Sequence, residues 1–323
     1  RCTLVQVKPV ARLDEIPRCG EQEILAPMLG LGQPAKAGHE GVDSMKLETR
    51  FPRNRVLITG ANSGFGKAMA MHFGRKGWRV AVTGRRPDAV RAAAEEVRKA
   101  GAAEALEMVI DVSKPEDFAA AAARIETQWG GLDILVNNAG IMDSARLQDI
   151  TLEQWHRIMD INLWGVIHGC HTFIPMLIRQ GNGYVLNMAS SAGLFSLPEM
   201  AHYSVPKAAV IALSETMRAE LARYGIGVTV SCPAAFASDI LKQEGVEVGR
   251  RVTLRALGKD AHTARHTSES VAAHAIRSME RGRLYDIAHD SMEFLWFVKR
   301  LMPETIYRLF AWMYTNRKWK FKD

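Results

Sequence analysis

The sequence predicts a doubly wound α/β fold, a parallel sheet with helices on both faces. Three observations carry that prediction. From Arg55 onward, short apolar stretches alternate with helical ones. The apolar stretches are nearly continuous rather than alternating, the pattern of strands covered on both sides. The first of them runs into a turn of small residues, Thr59-Gly60-Ala61-Asn62-Ser63-Gly64-Phe65-Gly66, before a helix opens.

Strands are expected at 55–59, 79–83, 106–110, 134–137, 183–188 and 228–231, each short and rich in Val, Ile and Leu. Helices are expected at 67–76, 89–100, 115–129, 152–179 and 205–224. The alanine runs at 92–94 and 119–123 have the highest helix propensity of any residue type. Strand-helix alternation of this kind demands right-handed crossovers and parallel pairing.

Three domains of behaviour follow. Residues 1–52 carry scattered Pro and Gly and no sustained period, so they are expected to be a disordered or non-native extension, with Met45 as the natural start. Residues 53–287 form the α/β domain, and 288–323 a helical C-terminal extension. The chain has 323 residues, 47% hydrophobic and 24% charged, enough for a large core. The net charge of +7 comes without a Lys/Arg run of nucleic-acid type, so no nucleic-acid partner is expected. Cys2, Cys19, Cys170 and Cys232 have neither CxxC nor zinc spacing, so they read as reduced thiols of a cytoplasmic protein, and no metal site is expected. No signal peptide or membrane-spanning stretch is read in the chain.

The turn 59–66 is suited to a pyrophosphate. Small residues let backbone N–H groups approach the anion, and a helix N-terminus favours its charge. The second strand ends Val82-Thr83-Gly84-Arg85-Arg86. An Asp or Glu there binds a ribose 2′-hydroxyl; this chain has Arg85, a permanently charged fork suited to a 2′-phosphate, so the expected cofactor is NADP(H). Tyr203 and Lys207, four residues apart, share one helical face. An ammonium beside a phenol lowers the phenol's pKa and fits it for proton exchange. Ser190 follows a strand, where its hydroxyl can polarise a carbonyl.

With these motifs in order, the chain resembles the short-chain dehydrogenase/reductase family over about residues 53–286, a Rossmann-type fold. The resemblance implies cofactor contacts at Thr59, Gly60, Ser63, Gly64, Phe65 and Gly66, adenine contacts at Asp111 and Val112, and a sheet-stabilising Asn137-Asn138-Ala139-Gly140 with Asn138, Ala139 and Gly140 beside the cofactor. It implies further contacts from Tyr203, Lys207, Pro233 and Ser238. Its catalytic set falls on Asn162, Ser190, Tyr203 and Lys207, with Tyr203 as general acid/base, Lys207 lowering its pKa, Ser190 orienting the carbonyl and Asn162 holding a water in the proton relay; Ser191 matches less well. The chain departs from the family at Pro233-Ala234, where Pro-Gly is usual, at Ser238, where Thr is usual, and in carrying Pro206 inside the Tyr/Lys motif, which is expected in a first helical turn. A homodimer or homotetramer through the two long helices is implied as well.

Residues 238–266 are expected to form a substrate lid. Residues 291–323 hold nine of the chain's 24 aromatics, interleaved with basic residues. Packing on its own domain and an interfacial helix pair at a membrane surface both fit this composition. The substrate is expected to be a small carbonyl or alcohol of lipid-like, steroid-like or long-chain character. An alcohol dehydrogenase working oxidatively and a non-catalytic dinucleotide sensor are the competing readings. His202 is read as a surface or packing residue.

Overall fold

The computed structural model describes residues 45–234, 267–288 and 290–316. Seven parallel strands stand in the order β3-β2-β1-β4-β5-β6-β7: β1 (Arg55–Ile58), β2 (Arg79–Gly84), β3 (Glu104–Val109), β4 (Ile134–Asn137), β5 (Gly183–Met188), β6 (Ile226–Ser231) and β7 (Tyr285–Asp286). The strand order reverses between β1 and β4, which opens a crevice at their carboxyl ends. β7 is a strand that the sequence pattern does not predict. It has two residues, too few to show a period.

The helices are α1 (Leu47–Arg50), α2 (Gly64–Arg75), α3 (Pro87–Lys99), α4 (Pro115–Trp129), α5 (Leu152–Met159), α6 (Gly165–Gln180), α7 (Ser191–Phe195), α8 (Ala201–Leu221), α9 (Ser268–Glu280), α10 (Asp290–Leu301) and α11 (Pro303–Thr315). Two apolar cores lie on the two faces of the sheet. One gathers β-strand residues with α2, α3 and α9; the other gathers them with α4, α6 and α8. Helices α3 and α4 both begin with proline, whose missing N–H costs nothing in a first turn.

Three expectations need correction. Residues 45–52 are part of the folded domain: Leu47 and Phe51 are buried, and Arg50 donates to the carbonyls of Gly183 and Gly225. The expectation of a disordered segment survives only as a statement about residues 1–44, which lie outside the described residues, as do the lid at 238–266 and Ser238. The helix expected at 152–179 is interrupted by a π-helical segment, Asp160–Trp164. The inserted residue re-aims the side chains around Asn162, a common signature of functional positions. By length and composition 152–180 meets the criterion for a membrane crossing. Its Val166, Cys170, Phe173 and Leu177, however, are buried in the main core. Finally, α8 begins at Ala201, so Pro206 sits in its second turn rather than its first and leaves the His202 carbonyl without an intrahelical donor.

The bottom of the sheet is fastened by a buried ion pair. Arg55 Nη2 lies 2.7 Å from Asp133 Oδ1, its Nε also donates to Asp133 Oδ2, and Nη1 donates to the Trp129 carbonyl. Removing one partner leaves the other charged and buried. Asp133→Ala is therefore expected to lower unfolding free energy by about 3–5 kcal/mol, read from a urea denaturation curve, whereas Arg91→Ala in the exposed pair with Asp88 should change it by less than about 1 kcal/mol.

Candidate active site

The crevice is built from the carboxyl ends of β1, β4 and β5. At the end of β1 the chain turns through Gly60 and Gly64, both with positive φ (+64° and +51°), and enters α2. Gly66 in the first turn of α2 packs so closely that a Cβ there would lie 2.3 Å from the Gly60 carbonyl oxygen and 2.4 Å from Asn138 Nδ2. Helix α2 has no acidic residue in its first turn, and its N-cap, Ser63, makes no side-chain cap bond. Its leading N–H groups thus meet neither competitor for an anion, and the donor set fits a pyrophosphate. Phe65 contributes only backbone here; its ring is buried in the core beneath.

Thr59 and Asn138 spend their polar atoms on each other. Thr59 Oγ1 accepts from the N–H groups of Asn138 (2.8 Å) and Ala139 (2.9 Å), while Asn138 Nδ2 donates to the Thr59 carbonyl at 2.8 Å. These side chains therefore lock the two strand ends together rather than face a ligand. Asn137 does the same one layer deeper, donating to Asn187 Oδ1 at 2.9 Å, and Asn187 donates to Ser214 Oγ at 3.0 Å.

Arg85 stands exposed just after β2. Asp111, after β3, is pushed up by burial, but this is outweighed by hydrogen bonds from Ser113 and by the Arg85 guanidinium, which hold its carboxyl below the usual value. Arg85 and Asp111 therefore face one neighbourhood. Val112 is buried and wedged against Gly165, and its carbonyl meets His168 Nδ1 at 3.0 Å. It supports the wall from behind.

The catalytic candidates converge past β4 and β5. Ser190 caps α7, its Oγ accepting from the Ala192 N–H, and its hydroxyl hydrogen-bonds the Tyr203 phenol. Ser191, by contrast, points its N–H at the Pro233 carbonyl, which pins α7 to the end of β6. Asn162 is fully buried and uses both side-chain atoms on Ile141, accepting from its N–H at 2.9 Å and donating to its carbonyl at 2.8 Å. Its side chain thus positions the loop after β4 instead of holding a water. At Gly140 the elements nearly touch: a Cβ there would lie 2.9 Å from Asn162 Oδ1 and 3.4 Å from Lys207 Nζ.

Lys207 does not lower the Tyr203 pKa in the way that the four-residue spacing suggests. Burial among Ile141, Met142, Ile158, Ala192 and Met200 pushes the phenol up, and only the Ser190 hydrogen bond opposes it. The Lys207 Nζ lies 5.8 Å from the ring centroid and donates to the Met188 carbonyl at 3.0 Å. Burial pushes its own pKa down to about 8, partly offset by the Cys232 thiol. Desolvation outweighs pairing because both groups sit in low dielectric. His202, beside Tyr203, is no surface residue. It is fully buried against Trp155, with Nε2 3.3 Å from Asp143 Oδ2.

The C-terminal helices reach this site, a link that sequence reasoning missed. Lys299 Nζ donates to the Leu194 carbonyl, Tyr307 donates to the Phe195 carbonyl at 3.0 Å, and Tyr314 donates to Glu199 Oε1 at 3.0 Å. Residues 194–199 connect Ser190 to Tyr203, so α10 and α11 clamp the segment between the two. Ile306 and Phe310 are buried in the main core. The placement of Tyr307 and Tyr314 seven residues apart, on one helical face, was the available signal.

The short chain dehydrogenase family matches residues 54–248. The chain belongs to that family. It is 30% identical over 266 residues to the 11-beta-hydroxysteroid dehydrogenase A of Sesamum indicum, covering 80% of this chain and 75% of that protein. It is 32% identical over 217 residues to the 3-oxoacyl-acyl-carrier-protein reductase FabG of Staphylococcus epidermidis, covering 65% of this chain and 87% of that one. With the probable oxidoreductase EphD of Mycobacterium tuberculosis it shares 36% identity over 60% of its own length, but spans only 33% of that protein. Among solved structures, a short-chain dehydrogenase/reductase from Burkholderia phymatum in complex with NAD superposes with a TM-score of 0.71 at 27% identity, covering 77% of this chain and 94% of that one. One from Sphingobium yanoikuyae in complex with NADPH gives 0.65 at 25% identity, covering 78% and 94%. The chain is thus an oxidoreductase-family member of a group that acts on CH–OH and C=O groups with a nicotinamide dinucleotide.

Two outcomes follow from the geometry. Gly66→Ala must push the turn off Asn138 and is expected to weaken dinucleotide binding at least about tenfold by isothermal titration, because backbone cannot yield as a side-chain tip can. Lys207 loses its charge in the cofactor-free folded protein near pH 8, whereas the unfolded chain keeps it to the ordinary 10.5. Between these values the unfolded state binds more protons, so this group makes stability rise with pH. The stability difference between the wild type and Lys207→Met should accordingly move in favour of the wild type between pH 8 and 10.5, measured by chemical denaturation.

Proposed function

We propose that this chain is an NADPH-dependent reductase of hydrophobic ketones or aldehydes. The observation that carries the reading is the Tyr203 phenol, buried in an apolar cluster, held protonated by that burial and hydrogen-bonded to Ser190. A phenol in this state is suited to donate a proton to a carbonyl oxygen that is gaining negative charge. The lining of Ile141, Met142, Ile158 and Met200 supports an apolar substrate body, and relatives are named for steroid and 3-oxoacyl substrates.

In the proposed reaction the substrate oxygen sits between Ser190 Oγ and the Tyr203 hydroxyl. A bound nicotinamide supplies the hydride. Tyr203 gives its proton to the oxygen, Ser190 donates a hydrogen bond to the same atom, and the Lys207 ammonium favours the resulting phenolate. Asn162 keeps Ile141 and Gly140 in place beside Lys207. The backbone N–H groups at the start of α2 would hold the pyrophosphate. Arg85, with no acid competing at the end of β2, would bind the 2′-phosphate, which supports NADPH over NADH. Exposed Trp164 and Val205 on the two long helices support a homodimer or homotetramer through them, in the cytoplasm.

NADPH oxidation across a panel of hydrophobic ketones, aldehydes and 3-oxoacyl thioesters tests this. Tyr203→Phe is expected to lower kcat about 10²–10⁴-fold with binding of NADPH intact. Arg85→Ala should raise KM for NADPH about 10–100-fold and leave KM for NADH unchanged. Wild-type turnover that prefers NADH would overturn the cofactor assignment.

A further inference from the structure

The inner faces of α10 and α11 grip the domain, but their outer faces remain uncovered. On α10, Phe294, Phe297 and Leu301 follow one another at helical spacing and are 69%, 58% and 65% exposed. Met302 at the junction, and Leu309 and Trp312 on α11, continue the exposed apolar surface. Isolated exposed apolar residues are ordinary, but a run of large ones on adjoining helices marks an interaction surface.

The charge around this surface selects its partner. From Thr305 to Lys322 the sequence has five basic residues, Arg308, Arg317, Lys318, Lys320 and Lys322, and no acidic one, with Trp319 and Phe321 between the last four. Arg300 adds another cation, stacked over Trp296 at 5.1 Å. A second copy docking through the same face would meet its own patch, because a two-fold interface is self-complementary, and would bring two basic segments together. A lipid surface carrying anionic headgroups offers what that copy does not: apolar depth for the Phe, Leu and Trp side chains and negative charge for the Arg and Lys.

We propose that α10 and α11, with the basic segment that follows them, dock this protein on anionic membrane surfaces. The docked element is also the one that holds residues 194–199, through Lys299, Tyr307 and Tyr314, between Ser190 and Tyr203. The membrane-facing and site-facing sides of the same two helices thus place the apolar pocket beside the lipid. Docking itself does not depend on the identity of the substrate or on the cofactor assignment.

The full chain is mixed with vesicles of phosphatidylcholine containing about one quarter phosphatidylglycerol, and with pure phosphatidylcholine vesicles, and binding is read by co-sedimentation. Binding is expected to the anionic vesicles and to fall as NaCl is raised, as screening requires. Phe297→Ser/Leu301→Ser/Trp312→Ser should weaken binding at least about tenfold, with the melting temperature and turnover of a water-soluble carbonyl unchanged, since these side chains support neither core nor site. Lys318→Gln/Lys320→Gln/Lys322→Gln should remove the salt dependence. Failure of the wild type to bind anionic vesicles, or wild-type affinity in the apolar triple variant, would overturn the proposal. So would conversion of a dimer to a monomer by that variant with vesicle binding unaltered, which would assign the face to a second copy.

Discussion

The site depends on the close approach of β1 and β4 at their carboxyl ends. Thr59 and Asn138 hold these ends together with three hydrogen bonds of 2.8–2.9 Å, and the chain beyond each partner is committed by that contact. On one side, Gly60 and Gly66 can fold over Asn138 only because neither has a side chain. On the other, Gly140 comes so near Asn162 and Lys207 that three elements meet around one backbone atom. Anion cradle and proton-transfer groups are therefore parts of one frame, and movement of either strand end would disturb both.

Within that frame, burial does more than pairing to set the protonation states. The sequence spacing of Tyr203 and Lys207 suggests an ammonium that draws the phenol down. The fold places both in an apolar cluster and turns the lysine toward the Met188 carbonyl, so the neutral form of each is favoured. A phenol kept protonated suits the donation of a proton, the direction that reduction requires. The Ser190 hydrogen bond is the one contact on the phenol that works toward ionisation, which gives this serine a role beyond polarising the carbonyl.

Much of this was legible in the residues. Six strands and the five long helices appear near where apolar runs and alanine-rich stretches put them, because continuous apolar strands leave few alternatives in a parallel sheet. The turn at 59–66, Ser190, Tyr203 and Lys207 were legible because their chemistry constrains residue type and spacing together. Less legible were features decided by tertiary contact. β7 is too short to show a period. The π-helical segment at Asp160–Trp164 leaves no compositional trace, yet it sets where Asn162 points. Thr59 and Asn138 read as cofactor contacts from their motifs, but their polar atoms are committed to each other. The aromatic tail showed its helices and its basic character, while its grip on Leu194, Phe195 and Glu199 needed the fold to bring residues more than one hundred positions apart into contact.

The most direct test of the central claim follows the hydride itself. NADPH carrying deuterium at the nicotinamide C4 is incubated with the wild-type protein and a hydrophobic ketone, and the product alcohol is examined by mass spectrometry. The account predicts one deuterium on the carbinol carbon from the wild type and none above background from Tyr203→Phe under the same conditions. Label transfer that persists undiminished in the Tyr203 variant, or no transfer to any hydrophobic carbonyl while NADPH is bound, would contradict it.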